Sequence, residues 1–463
     1  MNKYRDAARA FILWLGVIEL ERAVNAGLSV SDSTAERKLP SRFVLAVTVG
    51  GVIGLGILRG PGEIAQAIPE PKLYLGLWFF SGLFVLLTTS VVAELLGMTP
   101  RSGGTYALVR RAYGPFAGFV LGWIDWLSFA ADLALKAVVI VTFIAILIPQ
   151  AEEWRVLLAI AVTSVFAAIQ LRGISFGAII QEVATSAIGL IIVALSLALL
   201  VAPAAGVEAI LWQPSDTPLS KWSIVVAAII FTYDGWIYAS YFNGEIQGGA
   251  GAAARASIKG LVVVIGLYML INFALVHSTG LTPLAGSELA LATALEFVNF
   301  PLAGDLIVVA AILILLSHQN LEYMSGPRIL QALAVDGLAS KQVGKQGRGG
   351  NPVFAVLITW LLVVVLIMVG GFDFLLLLSI FFYVPLYLAL IVGVLILKKA
   401  EPNVDRPYLA WAHPYSTYLC LLGWSVITAF QAYAERQTAL YALAMILVAW
   451  PVYRYLTRQQ HDP

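Results

Sequence analysis

The sequence predicts an all-α polytopic membrane protein with 12 transmembrane helices. Of its 463 residues, 60% are hydrophobic and only 12% are charged, whereas soluble domains carry about 25% charged residues. Apolar segments long enough to cross about 30 Å of hydrocarbon recur along the chain. Two of these segments are interrupted near their middle by glycine, proline or aspartate. We expect spans near residues 43–68, 73–98, 117–148, 155–171, 178–202, 222–245, 257–279, 303–335, 353–370, 372–397, 415–433 and 438–456.

Loop charges predict how the chain is oriented in the membrane. Counted over the loops, 16 of the 28 Lys and Arg residues fall on the side of Arg42 and only four on the opposite side. Cytoplasmic loops carry the excess of positive charge. We therefore expect a multi-pass protein of the cytoplasmic (inner) membrane, with both its N-terminus and its C-terminus in the cytoplasm.

The spans divide the chain into four parts. Residues 42–202 and 203–397 hold five predicted spans each, and residues 398–463 hold the last two with a short cytoplasmic tail. Residues 1–41 form a cytoplasmic N-terminal segment, whose apolar run at 7–20 is too short to cross the bilayer. We favour an interfacial helix with its basic residues at the lipid headgroups. A signal peptide and a misassigned start codon are the alternatives.

The first and sixth predicted spans carry residues that interrupt a helix. Seven glycine and proline residues lie between positions 50 and 62, and Asp234-Gly235 lies at the middle of the sixth span. Glycine and proline weaken helix interiors, and an aspartate at mid-membrane is costly. The two breaks lie five helices apart, so the two segments enter the membrane in opposite directions, as in two inverted repeats. The alternative is that the small residues form a packing face.

Two such breaks have the chemistry to bind an amino acid. A helix that restarts after Gly54 and Gly56 presents free N–H groups and a positive dipole end at mid-membrane, which suits a carboxylate. A helix that stops near Tyr233 presents free carbonyl groups, which suit an ammonium group. Asp234 could favour a cationic amino acid or amine, or it could hold the unwound backbone by hydrogen bonds.

Four stretches resemble the amino acid–polyamine–organocation superfamily of transporters, and most of all the bacterial relatives of L-type amino acid transporters. The resemblance covers the chain from about residue 42 onwards. It implies the leucine-transporter fold, with a 5+5 inverted repeat, discontinuous helices 1 and 6, and peripheral helices 11 and 12. The matching stretches are IGLGILRGPGEIA (53–65), PRSGGTYALVRRAYGPFAGFVLGWIDWLS (100–128), FTYDGWIYASYFNGE (231–245) and GPRILQALAVDGLAS (326–340).

The same resemblance implies a substrate site. It makes the first break the clamp for the substrate carboxylate and Phe231 an aromatic lid beside the unwound sixth helix. It also places a small polar residue of the eighth span, Asn320, at the substrate. Many proton-linked or exchanging members carry a lysine in the fifth span, where this chain has Ile188. The expected substrate-binding residues are Ile53, Gly54, Leu55, Gly56, Ile57, Phe231, Tyr233, Asp234, Gly235 and Asn320.

Ionisable residues inside the spans are candidates for gating or coupling. We expect Arg59 and Asp373 to approach each other as an outer gate; snorkelling of both to the interface is the alternative. Asp132 either pairs with Lys136 one turn away or faces the substrate cavity. His318 and Glu322 share a face of the eighth span, and either could carry a proton or form a polar packing contact.

Other functional classes fit less well. We find no nucleophile, phosphate-binding or metal-ligand motif, and therefore expect no enzyme, no cofactor and no bound metal; a net charge of +1 indicates no nucleic-acid partner. A channel would need repeated polar pore-lining residues, and a sensor a long cytoplasmic tail. We expect secondary active transport of amino acids, with lipid contact and an undetermined coupling ion, proton or sodium. The alternatives are a polyamine or organic amine transporter and an uncoupled facilitator.

Overall fold

The computed structural model describes residues 39–54, 56–203, 232–300, 303–347, 349–369 and 383–434, and single residues within 222–229 and 447–454. The described chain is nearly all helical, with two 3-10 helices at Pro149–Trp154 and Tyr238–Glu245. The α-helices are α1 (Ser41–Val52), α2 (Gly56–Ala67), α3 (Pro71–Met98), α4 (Gly104–Tyr113), α5 (Pro115–Leu147), α6 (Arg155–Leu171), α7 (Ile174–Val201), α8 (Gly249–Thr279), α9 (Ala290–Phe297), α10 (Ala303–Val335), α11 (Val353–Val369), α12 (Tyr383–Ala400) and α13 (Tyr415–Ala434).

Six of the described helices are long and apolar enough to cross a membrane, or seven spans if α1 and α2 count as one bent span. The predicted bounds of 303–335 agree with α10. The seventh predicted span, 257–279, lies within α8, which begins earlier, at Gly249, with two turns rich in alanine and glycine rather than in large apolar residues. The interfacial helix, Asp373 and most of the twelfth span fall outside the described residues.

Two of the longest helices, α5 and α10, pack along each other through the middle of the bundle. Each has 33 residues, and at 1.5 Å per residue each is about 50 Å long. This exceeds the hydrocarbon thickness of about 30 Å, so both helices must tilt or project beyond it. Helix α8 packs against α1, α3 and α7 on the other side of α1. The first break therefore lies between the α5–α10 pair and α8.

Ion pairs join several charged loops at one end of the bundle. Asp336, just after α10, lies 2.7 Å from Arg101 Nη2 and 2.6 Å from Arg110 Nη1. Arg111 pairs with Glu401, after α12, at 2.6 Å. Three loop regions that the charge count assigned to one side are thus in contact at the same end. The side of the membrane that this end faces remains a prediction.

A buried ion pair lies at the same end of the bundle. Arg328 Nε of α10 lies 2.8 Å from Glu245 Oε1, and the arginine side chain is 1% exposed. The guanidinium also donates to Asn351 Oδ1 at 3.0 Å and lies 4.8 Å above the ring of Phe242. The backbone of Leu39 pairs with the chain on both sides of Ile246. These contacts join the end of the sixth predicted span to α10 and to the backbone just before α1.

Candidate functional site

The first break separates α1 from α2. The bend between them is 40°, and Ile53 has φ −74° and ψ 89°, outside the helical region. Because α2 starts afresh at Gly56, its first four N–H groups have no intrahelical acceptors. Ile57 is buried on this first turn, and Leu55 lies outside the described residues. The break that the glycines predict is therefore present at the predicted place.

The second break follows Tyr233. Residues 234–237 form a turn and 238–245 a 3-10 helix. Gly235 has φ +97°, a left-handed conformation that glycine adopts without steric cost. A Cβ atom on Gly235 would lie 2.2 Å from the carbonyl oxygen of Gly51. The two broken segments therefore touch at Gly51 and Gly235, whereas Phe231, the predicted lid, lies outside the described residues.

A tyrosine of α8 joins the two breaks. The buried hydroxyl of Tyr268 lies 2.8 Å from the Val52 carbonyl oxygen and 2.9 Å from the Thr232 carbonyl oxygen. Both carbonyls lie where a helix ends, so no later N–H group of the same helix donates to them. The hydroxyl of Tyr268, on a third helix, takes the place of the missing N–H donor. It has a single hydrogen, which the two carbonyl groups share, so the Thr232 carbonyl is not entirely free, unlike the free carbonyls expected near Tyr233.

Replacement of Tyr268 by phenylalanine is expected to destabilise the protein by about 1–3 kcal/mol, because two buried carbonyl groups lose the one hydroxyl hydrogen that they share. The unfolding temperature in detergent should fall and substrate transport should fall with it. Tyr418→Phe is the matched control, since Tyr418 is on α13 with its side chain exposed. Equal unfolding temperatures for the two variants would contradict a bridging role for Tyr268.

Asp234 and Tyr233 both have partners within the protein. Tyr387 of α12 donates a hydrogen bond to Asp234 Oδ1, and the backbone of Gly235 also hydrogen-bonds this carboxylate. Tyr233 donates to the carbonyl oxygen of Trp78 at 3.0 Å. Asp234 thus has the contacts of a residue that holds the unwound backbone, which was one of the two roles open from the sequence. Tyr233 points towards α3.

A charged cluster lies beside the first break, between α5 and α10. Lys136 Nζ lies 2.8 Å from Asp132 Oδ2 and 3.0 Å from His318 Nδ1, and it also contacts Glu322 Oε1. The lysine thus pairs with Asp132 one turn away, as the spacing suggests, and with two residues of α10 as well. We call these four residues the α5–α10 cluster. His318 Nε2 lies 3.2 Å from the carbonyl oxygen of Ile53, so the cluster contacts the break directly.

Asn320, expected at the substrate, faces the opposite direction. Its amide donates to the carbonyl oxygen of Gly177 at 2.9 Å and to Gln181 Oε1 at 3.1 Å, and it accepts from Gln170 at 3.0 Å. Residues two positions apart on a helix point about 200° apart. His318 therefore faces the break while Asn320 joins α10 to α6 and α7.

Arg59 lies on α2 and pairs with a residue of its own helix. Its Nε atom is 2.7 Å from Glu63 Oε1, one turn away, and its side chain is 60% exposed. Asp373 lies outside the described residues, so the proposed pairing of Arg59 with Asp373 stays a prediction.

Ile188, at the position where many relatives carry a lysine in the fifth span, is buried in the apolar core. Lys136 of α5 carries a partly buried ammonium group, with 14% of its side chain exposed.

Sequence reasoning missed the two tyrosines that hold the site together. Tyr268 bridges the breaks, and Tyr238 donates to Glu322 Oε1 at 3.3 Å. A tyrosine in an apolar helix has no pattern that distinguishes it from a packing residue.

Within the described parts of the chain, no group of three or more His, Cys, Asp or Glu side chains is arranged to hold a metal ion.

Helices long enough to span a bilayer, together with two interrupted segments in contact at their breaks, define a multi-pass membrane protein. A family model of amino acid permeases matches residues 43–450. The chain belongs to this amino acid permease family.

Curated relatives cover most of the chain at low identity. The chain is 24% identical to a serine/threonine exchanger of Bacillus subtilis, over 92% of this chain and 98% of the relative. It is 22% identical to a γ-aminobutyric acid permease of the same organism, over 86% of this chain and 88% of the relative. It is 24% identical to the large neutral amino acids transporter small subunit 2 of Rattus norvegicus, over 90% and 80% respectively.

Proposed function

We propose that the protein is a secondary active transporter of amino acids that works by alternating access around the two breaks. The contact between Gly51 and Gly235 carries the proposal, because it brings the end of α1 at the first break and the turn after Tyr233 at the second break to one place. Unpaired backbone groups at mid-membrane are tolerated where they line a cavity or bind a ligand. The family supplies the general activity, and the breaks supply the location.

In this proposal the substrate carboxylate binds the N–H groups of Gly54, Leu55, Gly56 and Ile57, at the positive end of α2. The substrate ammonium group binds at the sixth span, near the carbonyl end of the helix that stops at Tyr233. Asp234 supports this end by fixing the unwound backbone, in keeping with its bonds to Tyr387 and Gly235.

Alternating access requires a seal that opens. The buried Arg328–Glu245 pair and the ion pairs of Asp336 lie at the end of the bundle that we assign to the cytoplasm. We propose that they form the inner gate of a 12-helix, 5+5 inverted-repeat transporter. The positive charge of the loops at this end favours that orientation.

Substrate counterflow in proteoliposomes tests the proposal. Vesicles loaded with unlabelled L-serine should take up labelled L-serine, and excess outside serine, threonine or another zwitterionic amino acid should block this uptake. Ethanolamine, which lacks the carboxylate of serine, and 3-hydroxypropanoate, which lacks its amino group, should block it weakly. Each lost group removes charge-assisted hydrogen bonds worth about 1.5–3 kcal/mol, or roughly 10- to 100-fold in affinity. γ-Aminobutyric acid and leucine extend the screen to the substrates named for the relatives.

The alternative is a transporter of amines. The acidic side chain of Asp234 at the second break would favour such a positively charged substrate. In that case ethanolamine or a diamine should block uptake as well as the parent amino acid does. Saturable counterflow with no response to any ion gradient would instead indicate an uncoupled facilitator. Absence of counterflow for all of these solutes would contradict the proposed function.

A further inference from the structure

The hydrogen bonds of the α5–α10 cluster fix the protonation of His318. A lysine ammonium group can only donate, so His318 Nδ1, at 3.0 Å from Lys136 Nζ, must accept and carries no hydrogen. A backbone carbonyl can only accept, so His318 Nε2 carries the hydrogen that it donates to Ile53. The imidazole therefore has one N–H and is neutral.

The charges of the cluster then do not balance. Two carboxyl groups, Asp132 and Glu322, share the single positive charge of Lys136, and they also interact with each other. Asp132 is the partly accessible carboxyl, with 16% of its side chain exposed. Glu322 is fully buried, at 0% exposed. If both carboxyl groups were ionised, one negative charge would remain uncompensated inside the protein, which is strongly unfavourable.

The contact between the two carboxyl groups identifies where the missing positive charge belongs. Asp132 and Glu322 hydrogen-bond each other, which two ionised carboxylates cannot do because neither has a hydrogen to donate. Glu322 Oε1 accepts from Lys136 and Tyr238, whereas its buried Oε2 atom receives no N–H or O–H from any other described group. A proton shared by the two carboxyl groups removes the uncompensated charge, and a neutral carboxyl is far less costly to bury than an ion. A sodium ion at this position would be repelled by the ammonium group of Lys136 within the same cluster.

The surrounding elements add no further positive charge among the described residues that contact the cluster. The start of the 3-10 helix contributes the hydroxyl of Tyr238, and α1 contributes a backbone carbonyl. Tyr323 of α10 and Asp234 of the second break also interact electrostatically with the cluster. Asp234 is acidic, so it increases the negative excess.

We propose that Asp132 and Glu322 hold one shared proton in this conformation, and that the α5–α10 cluster exchanges this proton with water once in each transport cycle. Protonation converts the carboxylate to a carboxylic acid, and release returns the proton to water by way of the more accessible Asp132. The link from His318 to Ile53 connects the cluster to the first break, where the substrate carboxylate is proposed to bind. The inference rests on the proposed function and names the ion that drives it.

The test compares Glu322→Gln with the native protein in two transport assays. Glutamine keeps the size of the side chain but cannot titrate. For one proton per substrate, a gradient of one pH unit should change the accumulation of substrate about tenfold, because one pH unit equals about 1.4 kcal/mol. The native protein should show this response. Glu322→Gln should retain counterflow without a gradient but give no accumulation when the pH gradient is imposed.

Asp125→Asn is the matched control. Asp125 is also a buried carboxyl of α5, but two hydroxyl groups donate to it: that of Thr105 and that of Tyr241, which lies 3.2 and 2.9 Å from its two oxygens. Its ratio of gradient-driven uptake to counterflow should equal that of the native protein. This ratio is independent of the amount of folded protein, so a low yield of either variant does not affect the comparison.

Infrared spectra supply a measurement that does not depend on transport. The native protein should show the C=O band of a protonated carboxylic acid that is absent from Glu322→Gln and present in Asp125→Asn. Transport that ignores pH gradients, accumulation driven by sodium, an unchanged gradient response in Glu322→Gln, or an unchanged infrared band would each overturn the inference while amino acid transport stands. Absence of counterflow in the native protein would contradict the proposed function, and the infrared result would then decide the proton site alone.

Discussion

Alanine at position 235 is expected to abolish transport and to lower stability by at least about 2 kcal/mol. The left-handed conformation costs a non-glycine residue about 1–2 kcal/mol, and overpacking a close contact costs about 1–3 kcal/mol. Both apply here, because Gly235 has φ +97° and its Cβ would lie 2.2 Å from the Gly51 carbonyl oxygen. Relief of this overlap would push apart the two segments that form the proposed substrate site. Counterflow and thermal unfolding in detergent measure the two effects.

Gly266→Ala is the control for this substitution. Gly266 lies within α8, and a Cβ added there would meet no atom within 4 Å. Alanine also favours a helix over glycine by about 1 kcal/mol, so this variant should be as stable as the native protein or more stable. Native counterflow in Gly235→Ala would show that the contact between the two breaks is not required for transport.

The second large effect is expected for Arg328→Met. Removal of one partner of a buried ion pair costs about 3–5 kcal/mol, because the other charge stays buried without compensation. Glu245 would be that charge, since Arg328 and Glu245 are 1% and 6% exposed. A large fall in unfolding temperature is therefore expected for the single variant. Addition of Glu245→Gln to Arg328→Met should recover part of the loss, because the uncompensated charge is then gone.

Arg155→Gln provides the comparison. Arg155 pairs with Glu152 at 2.6 Å, but the two side chains are 43% and 51% exposed. Exposed pairs contribute about 0.2–1 kcal/mol, so the unfolding temperature should change little. If Arg328→Met were equally mild, the pair would not be a structural seal. If the double variant were less stable than Arg328→Met, uncompensated charge would not be the cause.

The sequence predicted the features that depend on local pattern. The bounds of α10 follow from a long apolar run between polar or glycine-rich loops, and the two breaks follow from glycine, proline and aspartate within apolar spans. These signals are local because helix formation and membrane insertion depend on neighbouring residues. The exact start of α8 was harder to predict, because a helix that projects beyond the hydrocarbon has no apolar pattern to mark its end.

Contacts between distant helices could not be predicted in the same way. The sequence places Lys136 near Asp132 and His318 near Glu322, but the contact between the two pairs depends on the rotation of α5 against α10. The same rotation decides that His318 rather than Asn320 faces the first break. Helix rotation is set by packing against several neighbours at once, so a single sequence without homologues gives little information about it.

The hydroxyl of Tyr268 has a mechanical consequence. It contacts the ends of both interrupted segments at 2.8 and 2.9 Å, and the α5–α10 pair contacts the same two segments through His318 and Ile53 at 3.2 Å and through Glu322 and Tyr238 at 3.3 Å. A sliding motion that leaves the Tyr268 contacts intact would carry α8 and both segments as one body. Its dividing surface would pass between these segments and the charged cluster, so a change of one proton in the cluster would act next to the boundary between the moving and stationary parts.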